Sequence, residues 1–402
     1  MYMQILEYLL KVIEYSLYGY FTVSTLYIFT FAFAGHFYKK QLKKLNKVQH
    51  KIAVLIPAYK EDSVIVAVAT SALNQNYQSK MFDVIVIADS LKATTIARLK
   101  ALPITLIEVS FKESTKAKAL NSAMANLKVV YDYVIVLDAD NIMESNFLTK
   151  MNNAFLNGYQ AVQGHRKAKN INTSFAILDA ASEEINNHIF RRGHRALGLS
   201  SGLIGSGMGF KYELFKSMML TVNAIGGFDK ELEFKLAKKR IGIEYLQDAV
   251  VLDEKIQKSV DFSNQRRRWL STQFIYLQKN FKTGWKELFH NGNITFFDKV
   301  WQMTVPPRIL LLGSTSLFAL IASLLTFTFN THTNVSVYLW LLNLLVTVTA
   351  FVLALPTSFY TKNTLKALLS LPAAFVRMTL LLFKLKGANK KFIHTSHGSI
   401  KN

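Results

Sequence analysis

The chain has 402 residues, half of them hydrophobic, no cysteine, and 48 Lys and Arg against 26 Asp and Glu, for a formal charge of +22. The missing cysteines exclude disulfides, thiolate zinc sites and a cysteine nucleophile. Sixteen of the surplus charges fall in residues 39–51 and 299–402, beside apolar stretches, whereas a nucleic-acid binder carries its basic surplus on the folded domain; the pattern predicts a lipid bilayer, and no nucleic acid, as partner.

In chain order, Ser16–Tyr38 carries no charged residue, and a helix needs about 20 such residues to cross a bilayer. Ala32-Phe33-Ala34 mimics a signal-peptidase site. The start lacks a basic n-region, however, and the apolar stretch exceeds a typical h-region of about 7–15 residues. Residues 1–50 therefore read as a retained anchor, spanning at about 16–38, with a basic linker. Lys39, Lys40, Lys43, Lys44, Lys47 and Lys51 should stay on the cytoplasmic side, leaving the N-terminus outside.

Residues 51–295 have the periodicity of an α/β domain. Ile52–Ile56, Val84–Ala88, Ile104–Val109 and Tyr133–Leu137 are short apolar runs. Helix-like stretches lie between them, near Ser63–Asn74, Thr94–Lys100 and Ser114–Leu127. Runs apolar at every position suit a parallel sheet covered on both faces, where ligands bind beyond the carboxyl ends of the strands. Those ends carry Pro57-Ala58-Tyr59-Lys60-Glu61-Asp62, Asp89-Ser90 and Asp138-Ala139-Asp140. Singly, each has a plain explanation: Glu61 and Asp62 favour a helix start, and Asp-x-Asp makes a turn. Together they put carboxylates on one edge, where they repel unless a cation joins them. Asp138 and Asp140 are hard oxygen ligands suited to Mg²⁺ or Mn²⁺, and such an ion neutralises a diphosphate leaving group. Lys116 and Lys118 are either further phosphate neighbours or a solvated helix face.

Residues 296–402 return to the membrane. Phe296–Met303 reads as interfacial, with Trp301 at headgroup depth. Residues 309–329 and 335–360 read as a hairpin with an external turn. Residues 367–383, about 17 long with Pro372 and Arg377 inside, read as a re-entrant or interfacial helix. If they spanned, Lys384, Lys386, Lys390 and Lys391 would lie outside. His394 and His397 make a poor zinc site; the tail is a free end or a segment folding over the site.

The strand-end residues resemble a known family. Ile-Pro-Ala-Tyr-Lys-Glu-Asp (56–62), Ala-Asp-Ser (88–90), Lys-Ala-Lys-Ala-Leu-Asn (116–121) and Asp-Ala-Asp (138–140) follow the order seen in family 2 glycosyltransferases of the GT-A fold. Gly226-Gly227-Phe228-Asp229 resembles their acceptor-base region. Gln265-Arg266-Arg267-Arg268-Trp269 resembles the Q-x-x-R-W signature of membrane synthases that make cellulose, chitin or hyaluronan.

The resemblance implies a mixed, mostly parallel GT-A sheet domain between membrane helices. It also implies inverting transfer from a nucleotide sugar, with UDP the expected nucleotide, using Mg²⁺ or Mn²⁺. Pro57, Ala58, Tyr59 and Glu61 would line the nucleotide site, with Asp89 near the base or ribose and Lys116 and Lys118 near phosphate. Asp138 would touch nucleotide or metal, and Asp140 would be the principal metal ligand. Asp229 would take the acceptor hydroxyl proton, and Gln265, Arg268 and Trp269 would lie under diphosphate and acceptor. Glu-Asp or Asp-Asp is usual where this chain has Phe228-Asp229, so Glu231 stays open as the base; Asp229 also suits a helix N-cap. Gly205–Gly209 would let a sugar approach the backbone. The acceptor is expected to be a saccharide or a lipid-linked saccharide at the cytoplasmic face, with an export partner if the product is a polymer. The reading from another class is a non-catalytic scaffold or glycan-binding protein on a transferase fold.

Overall fold

The Val- and Ile-rich runs form four parallel strands, because β-branched side chains fit a pleated surface buried on both faces. They are β1 (Ile52–Tyr59), β2 (Phe82–Asp89), β3 (Thr105–Val109) and β4 (Tyr133–Val136). Helices Ile65–Leu73, Ala93–Lys100 and Lys116–Asn126 make the crossovers. Ile52, Val54 and Ile56 feed one hydrophobic cluster, and Ala53 and Leu55 feed a second on the opposite face. The protein is described by a computed structural model covering residues 2–39, 42–43, 48–255, 259–329 and 334–385.

Among the described residues four further strands join the sheet: β5 (Ile142–Met143), β6 (Ala161–Ala168), β7 (Met208–Lys211) and β8 (Ile243–Asp253). The order is β3-β2-β1-β4-β7-β6-β8-β5. Strand β7 runs antiparallel to both β4 and β6, whereas β6 and β8 are parallel. The sheet is therefore mixed and mostly parallel. From β1 the chain winds outwards to β3, then jumps back to β4 on the other side of β1. Loops leaving strands at such a reversal diverge and open a crevice. Lys60 and Ser90, just past β1 and β2, have φ of 57° and 58°. Left-handed backbone at non-glycine residues costs about 1–3 kcal/mol and clusters at functional sites.

Among the described residues three helices are long and apolar enough to cross a membrane: Gln4–Phe37, Arg308–Thr328 and Val337–Ala354. The first begins well before Ser16. The third stops short of residue 360, where Pro356 and a short 3₁₀ turn at Thr357–Phe359 follow; the residue before a proline disfavours helix. Helices Lys362–Leu368 and Leu371–Leu382 meet at a 44° bend, as in a broken span or a re-entrant loop. Thr25 and Thr347 hydroxyls bond across the first and third helices at 2.9 Å, and Asn343 donates to Thr22 at 3.1 Å. Such polar clasps join helices where no water competes. Lys40, Lys44, Lys47, the turn at 330–333, and everything from Lys386, including His394 and His397, lie outside the described residues.

The sheet domain is tied to the first membrane helix through helix Ser174–Asn186 and its π-helical continuation, Asn187–Gly193. A Cβ on Gly193 would sit 2.1 Å from the Phe31 carbonyl oxygen, so only glycine permits this approach. Beside it, the His194 ring stacks on Phe31 with centroids 3.7 Å apart. The Tyr27 hydroxyl donates to Asp298 at 2.6 Å and lies 3.0 Å from His194 Nε2.

Candidate active site

A cavity of about 540 Å³ opens at the carboxyl ends of β1, β2 and β4. Pro57, Ala58, Tyr59, Glu61, Asp89, Lys116, Asp138, Asp140, Asp229, Gln265, Arg268 and Trp269 all line it. The local reasons differ. β1 and β4 deliver Pro57–Tyr59 and Asp138 by running out at the crevice. Thr115 caps helix Lys116–Asn126, which puts Lys116 in the first turn. Its Nζ reaches the Asp138 carboxylate and donates to the Gly205 carbonyl at 2.7 Å. Lys118 does not line the cavity; its Nζ donates to the Glu113 carbonyl at 2.8 Å.

A chain of hydrogen bonds fixes the Asp138–Asp140 turn. The Asp138 amide donates to Ser206 Oγ at 2.9 Å, and that hydroxyl donates to Asn141 Oδ1 at 2.6 Å. Asn141 Nδ2 then donates to Asp140 at 3.0 Å and to Asp253 at 2.9 Å. Among the described residues no group of three or more His, Cys, Asp or Glu stands close enough to hold a metal by itself. The two carboxylates still fit Mg²⁺ or Mn²⁺, since such an ion commonly takes one or two carboxylates and completes its shell with phosphate oxygens and water.

Asp229 lies in the first turn of helix Phe228–Lys238, whose N-cap is Gly227, not Asp229. Gly227 has φ of 74°, and a Cβ there would stand 2.3 Å from Thr272 Cγ2. The glycine lets this helix start press against helix Ser259–Asn291, which carries Gln265, Arg268 and Trp269. Burial raises the Asp229 pKa, with Glu233 adding to the rise, while Lys230 and Lys116 oppose it. Glu231 points elsewhere: the Tyr276 hydroxyl donates to it at 3.1 Å, and it does not line the cavity. Glu233 is buried, accepts from the Leu203 amide at 2.8 Å and pairs with Lys230 and Lys299. Burial lowers the Arg268 pKa; the carboxylates near enough to oppose this are Asp138 and Asp229. Gln265 Oε1 is buried with no hydrogen-bond partner among the described residues.

The structure adds an ionic cluster that sequence reasoning missed. Arg166 of β6 pairs with Glu183 at 2.6 Å, and Lys255 pairs with Asp253 at 2.7 Å and with Glu183 at 3.5 Å. Arg266 pairs with Asp179 and lies 4.5 Å over the Trp269 ring. Burial alone would push the Glu183 pKa up, but Arg166, Lys255 and Arg191 outweigh it and hold the carboxyl well below its usual range. Removing one partner of a buried ion pair costs about 3–5 kcal/mol, because the remaining charges stay buried unpaired. Glu183→Ala should accordingly lower the thermal unfolding midpoint strongly, as read by tryptophan fluorescence in detergent; a midpoint unchanged from wild type would mean the cluster holds nothing together.

Residues 50–272 match the family described as glycosyltransferase like family 2. None of the curated proteins searched matches the chain. Among solved structures it is similar to a mannosyltransferase from Pyrobaculum calidifontis in complex with GDP-Man and Mn²⁺. That likeness is 16% identical, covers 85% of this chain and 98% of the other, and has a TM-score of 0.50. It is also similar to glucosyl-3-phosphoglycerate synthase from Mycobacterium tuberculosis, solved with Mn²⁺, UDP and glucosyl-3-phosphoglycerate. There the identity is 18%, the coverage 53% of this chain and 74% of the other, and the TM-score 0.36.

Proposed function

The chain belongs to the glycosyltransferase-like family 2, and from that premise we propose that it is an inverting, metal-dependent transferase of a nucleotide-linked sugar. The donor is UDP-linked in this reading, and the acceptor is a saccharide or lipid-linked saccharide at the cytoplasmic membrane face. One observation carries it: a single cavity joins the strand-end carboxylates to Asp229 and to Gln265, Arg268 and Trp269.

In this reading Pro57, Ala58, Tyr59, Glu61 and Asp89 hold the nucleoside, while Lys116 and Arg268 face its diphosphate. Arginine suits that task because its charge is permanent and its donors are forked. Asp138 and Asp140 would hold Mg²⁺ or Mn²⁺, which supplies charge neutralisation to the departing diphosphate. Asp229 takes the proton of the acceptor hydroxyl, whose oxygen attacks the anomeric carbon from the face opposite the diphosphate. Gln265 Oε1 offers an acceptor for a sugar hydroxyl, and Trp269 offers a ring face for stacking. The lysines that follow the first membrane helix, Lys39, Lys40, Lys43, Lys44, Lys47 and Lys51, favour the sheet domain on the cytoplasmic side.

A donor screen tests the proposal. Purified full-length protein in detergent, given a panel of UDP- and GDP-sugars with Mn²⁺ or Mg²⁺, should release nucleoside diphosphate from one class of donor. The product's anomeric configuration, read by NMR, should be opposite to the donor's. Retention would overturn the mechanism, and binding without turnover of any donor would favour the non-catalytic scaffold.

A further inference from the structure

The cavity continues past Trp269 to the membrane helices. Ile28 of the first helix, Val305, Pro306 and Pro307, Arg308 at the start of the second, and Met378 of helix Leu371–Leu382 form its far wall. Arg308 is the unusual member. Arg166, Arg191, Lys255 and Arg266 in this cavity each have a carboxylate within 4.0 Å. Among the described residues Arg308 pairs with none. It donates instead to Ser182 Oγ at 2.5 Å and to Asn186 Oδ1, both neutral, and its Nε is buried without an acceptor.

A permanent cation buried at the end of a membrane helix is costly unless an anion meets it, and the carboxylates close enough to act on Arg308, Glu183 and Asp179, are already paired with Arg166, Lys255 and Arg266. A guanidinium fork with a donor to spare matches a phosphate. The surrounding Ile28, Val305, Pro306, Pro307 and Met378 suit the apolar chain of a lipid and not a free glycan. We propose that this end of the cavity takes a phosphate ester carried on an apolar chain, held by Arg308 with Ser182 and Asn186, and that the acceptor is a lipid-linked phosphosaccharide. The proposal rests on the transferase reading above. The same chemistry has a second source, a phospholipid of the bilayer, which the test separates.

The probes are farnesyl diphosphate and farnesol, titrated onto full-length protein in detergent with saturating UDP and Mn²⁺ filling the donor end. Wild type should bind the diphosphate at least about tenfold more tightly than the alcohol, a difference of about 1.4 kcal/mol. Arg308→Gln should erase that difference and Arg308→Lys, keeping the charge, should retain most of it. Unchanged UDP affinity in both variants reports that they fold. Equal binding of the two probes by wild type, or undiminished preference in Arg308→Gln, overturns the proposal. Displacement of farnesyl diphosphate by an equal concentration of short-chain phosphatidylglycerol assigns the site to bilayer headgroups and also overturns it; resistance to displacement supports it. Failure of wild type to bind UDP, or GDP in its place, strikes the transferase reading, whereas loss of the Arg308-dependent preference strikes this inference alone.

Discussion

Asp229→Asn should lower kcat by about 10²–10⁴-fold, the range that a positioned general base contributes, while leaving donor binding intact. Asparagine keeps the shape and the helix start but cannot take a proton. The residue's environment makes two further results expected. Burial, helped by Glu233, raises the Asp229 pKa, so the ionised form that acts as base appears only as pH rises through that raised value. The acid limb of the kcat profile should accordingly lie above the range of an exposed aspartate, and it should vanish in the variant. Stability runs the other way. A carboxyl whose folded pKa exceeds its unfolded one contributes stability below the unfolded pKa, and that contribution is lost as pH rises through the folded value. At neutral pH Asp229 is therefore a burden on the fold, and Asp229→Asn should raise the unfolding midpoint as it lowers kcat. Full turnover by the purified variant, or a fall in both activity and midpoint, would remove Asp229 from the role of base.

Two positions show how far the sequence was legible. Apolar runs at every position mark β1, β2 and β4, and the residues at and just past their ends, Pro57–Tyr59, Glu61, Asp89 and Asp138, all reach one cavity. Local pattern suffices there because a strand buried on both faces must stop where polar residues begin. Within helices the same reading loses resolution. Lys116 and Lys118 are two residues apart, and residues at that spacing do not share a helix face. Lys116 accordingly meets Asp138, and Lys118 turns back to the Glu113 carbonyl. The same spacing separates Asp229, in the cavity, from Glu231, against Tyr276.

The ionic cluster was invisible for a different reason. Its members come from β6, helix Ser174–Asn186 and its π-helical continuation, the end of β8 and the segment just after it, and helix Ser259–Asn291. In sequence they look like ordinary scattered surface charges, and only the packing makes them partners. Arg308 was hidden similarly, since one arginine before an apolar run reads as a flank that sets topology. Its lack of a carboxylate partner appears only once its neighbours are known.

Asp140→Asn should remove divalent-metal dependence and lower transfer by about 10²–10⁴-fold, taking Lewis-acid stabilisation as several kcal/mol. The two carboxylates of the turn are not equivalent. Asp138 already faces the Lys116 ammonium, which occupies one of its oxygens, while Asp140 is buried and held by Asn141. With no third His, Asp or Glu grouped with them among the described residues, the pair alone is a weak cage, and donor phosphate oxygens must complete it. Metal and nucleotide should therefore bind cooperatively. Mn²⁺ titrated into the full-length protein and followed by EPR should bind about 5–150-fold more tightly with UDP present, the usual span of a coupling free energy. By reciprocity, UDP should gain the same factor from Mn²⁺. Chelation should abolish transfer without lowering the unfolding midpoint, because the Asp138–Asp140 turn is fixed by Ser206 and Asn141 and needs no ion to hold its shape. Tight Mn²⁺ binding without nucleotide, or wild-type cooperativity in Asp140→Asn, would show that the metal is held elsewhere or not used. If chelation instead melts the protein, the ion is structural, and the turn does not stand on its hydrogen bonds alone.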